Sequence, residues 1–267
     1  MKRITLALAL SFGFALFLGA CAGGGRPVPK KDAEVPVSQQ ASVGSAQGRA
    51  KTHTELGTLY YQAGNMQIAS QEARIALDSD PNYAPGYNLL GLIHLYLREM
   101  PQAQDNFERA SRLAPGDPEI ANNYGWLLCQ SGRENEALQL FMLSARNPLY
   151  KTPTKPYTNA GLCALRLKDE KGAEEYFQRA AQADASNAQA IFHLADMLYR
   201  RGDYAIARKY VAEVMRLNPP NAESLWLALR IERKLGDRSA EASYASQLRR
   251  GFAGTPQHQA LMQGKFE

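Results

Sequence analysis

A chain of 267 residues, 45% hydrophobic and 21% charged, is long and apolar enough to bury a real core in one domain or two. Its formal charge of +5 includes Lys2 and Arg3; without residues 1–20 the balance falls to +3, too weak to argue for nucleic acid as a partner. Its four histidines, His53, His94, His193 and His258, form no pair at the i,i+4 spacing of a helical metal site.

The first element is an apolar run from Ile4 to Leu18, opened by Lys2 and Arg3 and closed by the small residues Gly19 and Ala20. A basic start, a short apolar segment and a small-residue cut are the parts of a secretory signal peptide. The run falls short of the roughly 20 apolar residues that a membrane-spanning helix needs. With Leu18-Gly19-Ala20-Cys21 at the cut, residues 1–20 resemble the bacterial lipoprotein signal. That resemblance implies a mature chain that begins at Cys21 and carries lipid there. The alternative is an ordinary signal peptide with an incidental cysteine. Residues 22–48 follow, with Gly23, Gly24, Gly25, Pro27, Pro29, Pro36, Gly44 and Gly48 among serines and glutamines. Lacking apolar periodicity, they read as a flexible linker, so that 21–48 is a lipidated cysteine on a tether. A coil of this length averages about 30 Å end to end, which holds a folded body off the membrane.

From Arg49 the chain repeats itself. Gly57, Gly91 and Gly125 stand 34 residues apart, Gly161 follows after 36, and Ala195 after another 34. Ala69, Ala103, Ala137, Ala173 and Ala207 keep the same steps, as do Phe107, Phe141, Phe177 and Val211. Several residue classes sharing one period match the 34-residue tetratricopeptide repeat, a helix–turn–helix unit. The expected fold is all-α: a tetratricopeptide-repeat solenoid of about six repeats forming a right-handed superhelix over 49–250. The repeats fall near 50–83, 84–117, 118–151, 154–187, 188–221 and 222–250. The small residues at 57, 91, 125 and 161 let paired helices approach, with the alanines facing them and the phenylalanines filling the space between repeats. Pro81, Pro115 and Pro219 end second helices, and Gly64, Gly132 and Gly202 make the turns. The tail, 251–267, contains glycine and glutamine and is expected to fray.

No catalytic constellation emerges, so the expectation is a protein that is not an enzyme and takes no cofactor, metal or small-molecule substrate. There is no glycine-rich phosphate loop and no strand pattern to host one. Cys129 and Cys163 fall on first helices of neighbouring repeats, across a connection that carries Pro148, Pro153 and Pro156. An exported compartment favours a disulfide there, worth about 2–4 kcal/mol, over two buried free thiols. Cα atoms more than about 7 Å apart would exclude it. The first helices also line the concave face of such arrays. Repeat phase selects Thr54, Thr58, Tyr61, Asn88, Leu92, Leu95, Tyr96, Asn122 and Trp126 as a partner-binding groove in the front half. The back half offers Thr158, Leu162, Arg166, Phe192, Asp196, Tyr199 and Trp226. Aromatic and aliphatic groups beside amides suit an extended or helical peptide.

Several segments go beyond generic repeats. Asn122-Asn123-Tyr124-Gly125-Trp126-Leu127-Leu128-Cys129, then Asn147-Pro148-Leu149-Tyr150, Tyr157, Asn159-Ala160-Gly161 and Cys163 resemble the type IV pilus biogenesis and stability lipoproteins. The likeness spans the mature chain. It implies a pilotin, which helps the type IV pilus secretin subunit reach the outer membrane and multimerise, and so supports twitching motility. Ala22, where an aspartate typically retains lipoproteins at the inner membrane, fits lipid anchoring in the outer membrane with the repeat domain facing the periplasm. The alternative is a lipoprotein of the same fold that scaffolds peptidoglycan enzymes of the cell envelope.

Overall fold

In the computed structural model, residues 44–266 are described, and they form thirteen helices without a strand. The leader, Cys21 and the linker through residue 43 lie outside the described residues. Six helix pairs follow one another: α1 Ala46–Gln62 with α2 Met66–Ser79, α3 Ala84–Tyr96 with α4 Met100–Leu113, and α5 Pro118–Gln130 with α6 Glu134–Ala145. Then come α7 Thr154–Arg166 with α8 Glu170–Ala183, α9 Ala188–Arg201 with α10 Tyr204–Leu217, and α11 Ala222–Leu235 with α12 Arg238–Gly251. A thirteenth helix, α13, spans Pro256–Met262. Each helix packs on its partner and each pair on the next, while α1, α3, α5 and α7 also touch in series. That is a solenoid.

Local chemistry sets the boundaries. The hydroxyl of Ser45 accepts from the Gly48 amide at 3.0 Å, so α1 opens inside the segment expected to be linker. Asp117, Asp169, Asn187 and Asn221 cap later helices in the same way, each contact worth about 1 kcal/mol. The turn between paired helices needs a left-handed residue, and Gly64, Gly132 and Gly202 supply it with φ near 79°, 79° and 92°. The second and fourth hairpins lack that glycine, and Arg98 and Lys168 take φ of 64° and 61° instead. Each costs about 1–2 kcal/mol that the surrounding helices must offset.

The core explains the period, with one correction to the sequence reading. A Cβ on Gly91 would lie 2.8 Å from the Phe107 ring, on Gly125 2.9 Å from Phe141, and on Gly161 2.5 Å from Phe177. All three rings are fully buried. The phenylalanine, not the facing alanine, therefore occupies the space that each glycine vacates. Ala137 adds only its backbone carbonyl, 3.3 Å from the Gly125 position. In the first repeat Ala73 stands where the ring would be, and Leu89 of α3 fills the cleft at Gly57.

The tail is a second correction. It does not fray: Thr255 caps α13, and Leu261 is buried with Leu225, Trp226, Leu229, Ala245 and Leu248 against α11 and α12. A last repeat leaves one face open to water, and this chain covers it with its own final helix.

Candidate peptide-binding groove

The front of the inner face is built on α1, α3 and α5. Tyr96 is 60% exposed, and its ring meets Tyr61 edge to face, with centroids 6.4 Å apart. Burial, with Tyr96 alongside, pushes the Tyr61 phenol above its ordinary value. Thr58, Asn88, Leu92 and Trp126 are half-buried and keep part of their surface free. Leu92 and Trp126 rest on the cluster of Leu95, Ala103, Phe107 and Leu127, which fixes their aliphatic and indole faces.

Three expected groove residues are drawn into packing instead. Leu95 is buried in that cluster, and Thr54 is buried with its hydroxyl lacking a hydrogen-bond partner among the described residues. Asn122 is only 1% exposed and is consumed by an amide chain. Asn159 donates to Asn122 at 2.9 Å, Asn122 to Asn123 at 3.1 Å, and Asn123 to Asn88 at 3.1 Å. These bonds tie α7, α5 and α3 together, because buried amides must find partners. Asn88 and Asn159, at the two ends of the chain, are its half-buried members.

Between front and back lies the expanded connection. Cys129 of α5 and Cys163 of α7 are joined in a disulfide, with Cα atoms 5.9 Å apart, inside a core that includes Phe141. Beside it, Glu119 accepts from the Tyr150 hydroxyl at 2.8 Å and from Lys155 at 2.6 Å. Burial alone would raise the Glu119 carboxyl, but these partners outweigh it and hold it below its ordinary range. The Tyr150 phenol is pushed up, first by burial and then by that carboxylate. The cluster clamps residues 147–155 against the start of α5.

The back half differs. Thr158 is buried and accepts from the Asn187 amide at 2.8 Å, Leu162, Phe192 and Asp196 are half-buried, and Arg166 is exposed near Glu134. Tyr199 and Trp226 are buried beneath a stack of alternating cations and rings. The Arg230 guanidinium lies 4.6 Å from the Tyr199 centroid and 5.8 Å from Trp226. Phe266 stacks on Trp226 at 5.6 Å, and Arg233 lies 3.9 Å from the Phe266 ring. The sequence reading missed Arg230, Arg233 and Phe266. The first follows Trp226 by four residues, one helical turn, and was legible in principle; Phe266 carried no such signal.

The histidines are structural where they are paired: His53 with Glu72 at 2.7 Å, buried, and His94 with Glu99 at 2.6 Å. Among the described residues no cluster of three or more His, Cys, Asp or Glu side chains is placed to hold a metal.

Models of the tetratricopeptide repeat match residues 88–148, 154–187 and 192–256, more than half of the chain. The chain belongs to the tetratricopeptide-repeat family. It is also closely related to type IV pilus biogenesis proteins of that fold. It is 28% identical over 262 residues to the type IV pilus assembly protein PilF of Pseudomonas aeruginosa, covering 98% of this chain and all of the relative. The solved structure of Pseudomonas aeruginosa PilF superposes with a TM-score of 0.75 at 28% identity, over 82% of this chain and 99% of that one. The crystal structure of PilW, described as a widely conserved type IV pilus biogenesis factor, gives 0.72 at 27% identity, over 80% and 98%. In a family built on interaction surfaces, the inner face of the array is the place to look for function.

Proposed function

We propose that this protein is an outer-membrane lipoprotein pilotin that binds the type IV pilus secretin subunit and promotes its localisation and multimerisation. One observation carries the reading: the front of the inner face leaves Tyr96 exposed and keeps part of Tyr61, Leu92 and Trp126 accessible beside Asn88. Full-length kinship to type IV pilus proteins supports the choice of partner. Apolar anchors with a neighbouring amide fit a peptide, whose side chains would pack on the aromatic and aliphatic faces while its backbone bonds to Asn88. Lipid on Cys21 would supply the address. Confinement to one surface raises the local concentration of secretin protomers, which favours their assembly without any new contact.

The test compares detergent-resistant secretin oligomers in cells carrying the wild-type chain, Cys21→Ala, and the double variant Leu92→Glu/Tyr96→Glu. Both variants are expected to lower the oligomers or mislocalise them while the helical signal of the purified repeat domain stays intact. Normal outer-membrane oligomers in all three strains would overturn the reading. So would a pull-down dominated by peptidoglycan enzymes instead of secretin.

A further inference from the structure

At the back of the inner face a filled aromatic cleft lies apart from the groove on which the pilus reading rests. We propose that the cleft formed by Tyr199, Trp226, Arg230 and Arg233 is a binding site for an aromatic residue flanked by carboxylates on another polypeptide. In this structure the chain's own Phe266 occupies it.

Phe266 shows what the cleft accepts. Its ring stacks on Trp226, tilted by only 23°, and the Arg233 guanidinium closes over it at 3.9 Å. Beneath, Arg230 is held between Tyr199 and Trp226, so four of the five members of the stack belong to α9 and α11 and remain when Phe266 leaves. An aromatic ring entering from outside would meet the same two partners, an indole face and a guanidinium, that attract Phe266.

The rim asks for negative charge. Beside the seated ring, Arg230, Arg233 and Lys234 line an open space of 390 Å³ together with Tyr199 and Gly264, with Phe266 forming one wall. Asp196 lies 3.6 Å from one Arg230 nitrogen, and Glu241 2.8 Å from Arg233. Yet Arg230 Nε is buried with no hydrogen-bond partner among the described residues. A buried guanidinium nitrogen without a partner is costly, and a carboxylate is the group that satisfies it best. The cis segment brings Gly264 and Phe266 to the cleft. In sequence Phe266 stands between Lys265 and Glu267, so one of its two flanks is a cation. A segment with carboxylates on both flanks would complement the rim better, so a partner peptide can compete for the position.

Gly264 adopts φ of 67°, and it separates α13, anchored by Leu261, from Phe266. The ring can leave while the helix stays docked, so release need not unfold the last repeat.

The experiment uses the repeat-containing chain with and without Phe266→Ala, titrated into the labelled peptide fluorescein-Gly-Gly-Glu-Phe-Glu and followed by anisotropy. The Phe266→Ala chain is expected to bind at least about tenfold more tightly than the unsubstituted one. Adding Arg230→Gln, replacing the peptide phenylalanine by alanine, or replacing its glutamates by lysine should each cost about tenfold. Equal binding with and without Phe266, or indifference to the peptide's phenylalanine, would overturn the proposal and leave Phe266 as a packing cap. If Phe266→Ala lowers the helical signal, Phe266→Leu, which keeps an apolar plug but removes the stack, is measured in its place. An increase of about threefold or more in affinity supports the proposal and no change overturns it.

Discussion

Tyr96 at the front of the inner face and Trp226 at the back are large aromatic residues on the first helices of their repeats, in opposite circumstances. Tyr96 keeps 60% of its surface in water, touched by one neighbouring ring. Trp226 keeps 9%, sandwiched by Arg230 and Phe266 and packed against Leu225, Leu229 and Leu248. One repeat scaffold thus presents an open surface at one end and a filled one at the other. The difference comes from the residues that follow the last hairpin, not from the repeats themselves.

The sharpest way to test that contrast is to truncate both rings. Trp226→Ala should lower unfolding stability by about 3–5 kcal/mol, whereas Tyr96→Ala should stay within about 0.5 kcal/mol, read as urea midpoints at constant slope. Equal losses would erase the distinction between open and filled ends. Next in size is the bond dividing the two regions. Cys163→Ala, or reduction of the wild-type chain, should cost about 3–4 kcal/mol, the closure entropy of a loop joining residues 34 apart. Unchanged midpoints with and without reductant would show that the bridge adds nothing. The smallest effect separates the histidines. In the front half His53 has a carboxylate partner, while in the back His193 stacks on Phe177 at 4.8 Å and burial pushes its imidazole below the ordinary 6.5. A group held neutral in the fold takes up protons more readily once unfolded, so stability should fall as pH drops below 6.5. His193→Gln should flatten that part of the profile in thermal melts, and an unchanged slope would place the acid sensitivity elsewhere.

The architecture was legible because its cause recurs. A glycine that admits a ring, and the ring that fills it, appear three times at one spacing, Gly91 with Phe107, Gly125 with Phe141 and Gly161 with Phe177. Which atoms meet was less legible: alanine at each second helix looked like the facing partner, but geometry assigns that place to the ring. The groove was half readable. Repeat phase selects a helix face, yet whether a side chain on that face meets water depends on neighbours that phase does not contain. Asn122 turned inward because Asn123 and Asn159 offered it bonds, and Trp226 because Phe266, forty residues later, lies over it. A single phenylalanine after a glutamine- and glycine-containing stretch has no period to betray it.

Repeat arrays melt from their ends inward, each hairpin relying mainly on its neighbours for support. The covalent link between α5 and α7 is therefore a firebreak. Fraying that begins at either end and reaches the third and fourth hairpins finds them fastened together. Limited proteolysis of the oxidised protein should leave fragments from either side of the connection migrating as one species until a reductant parts them.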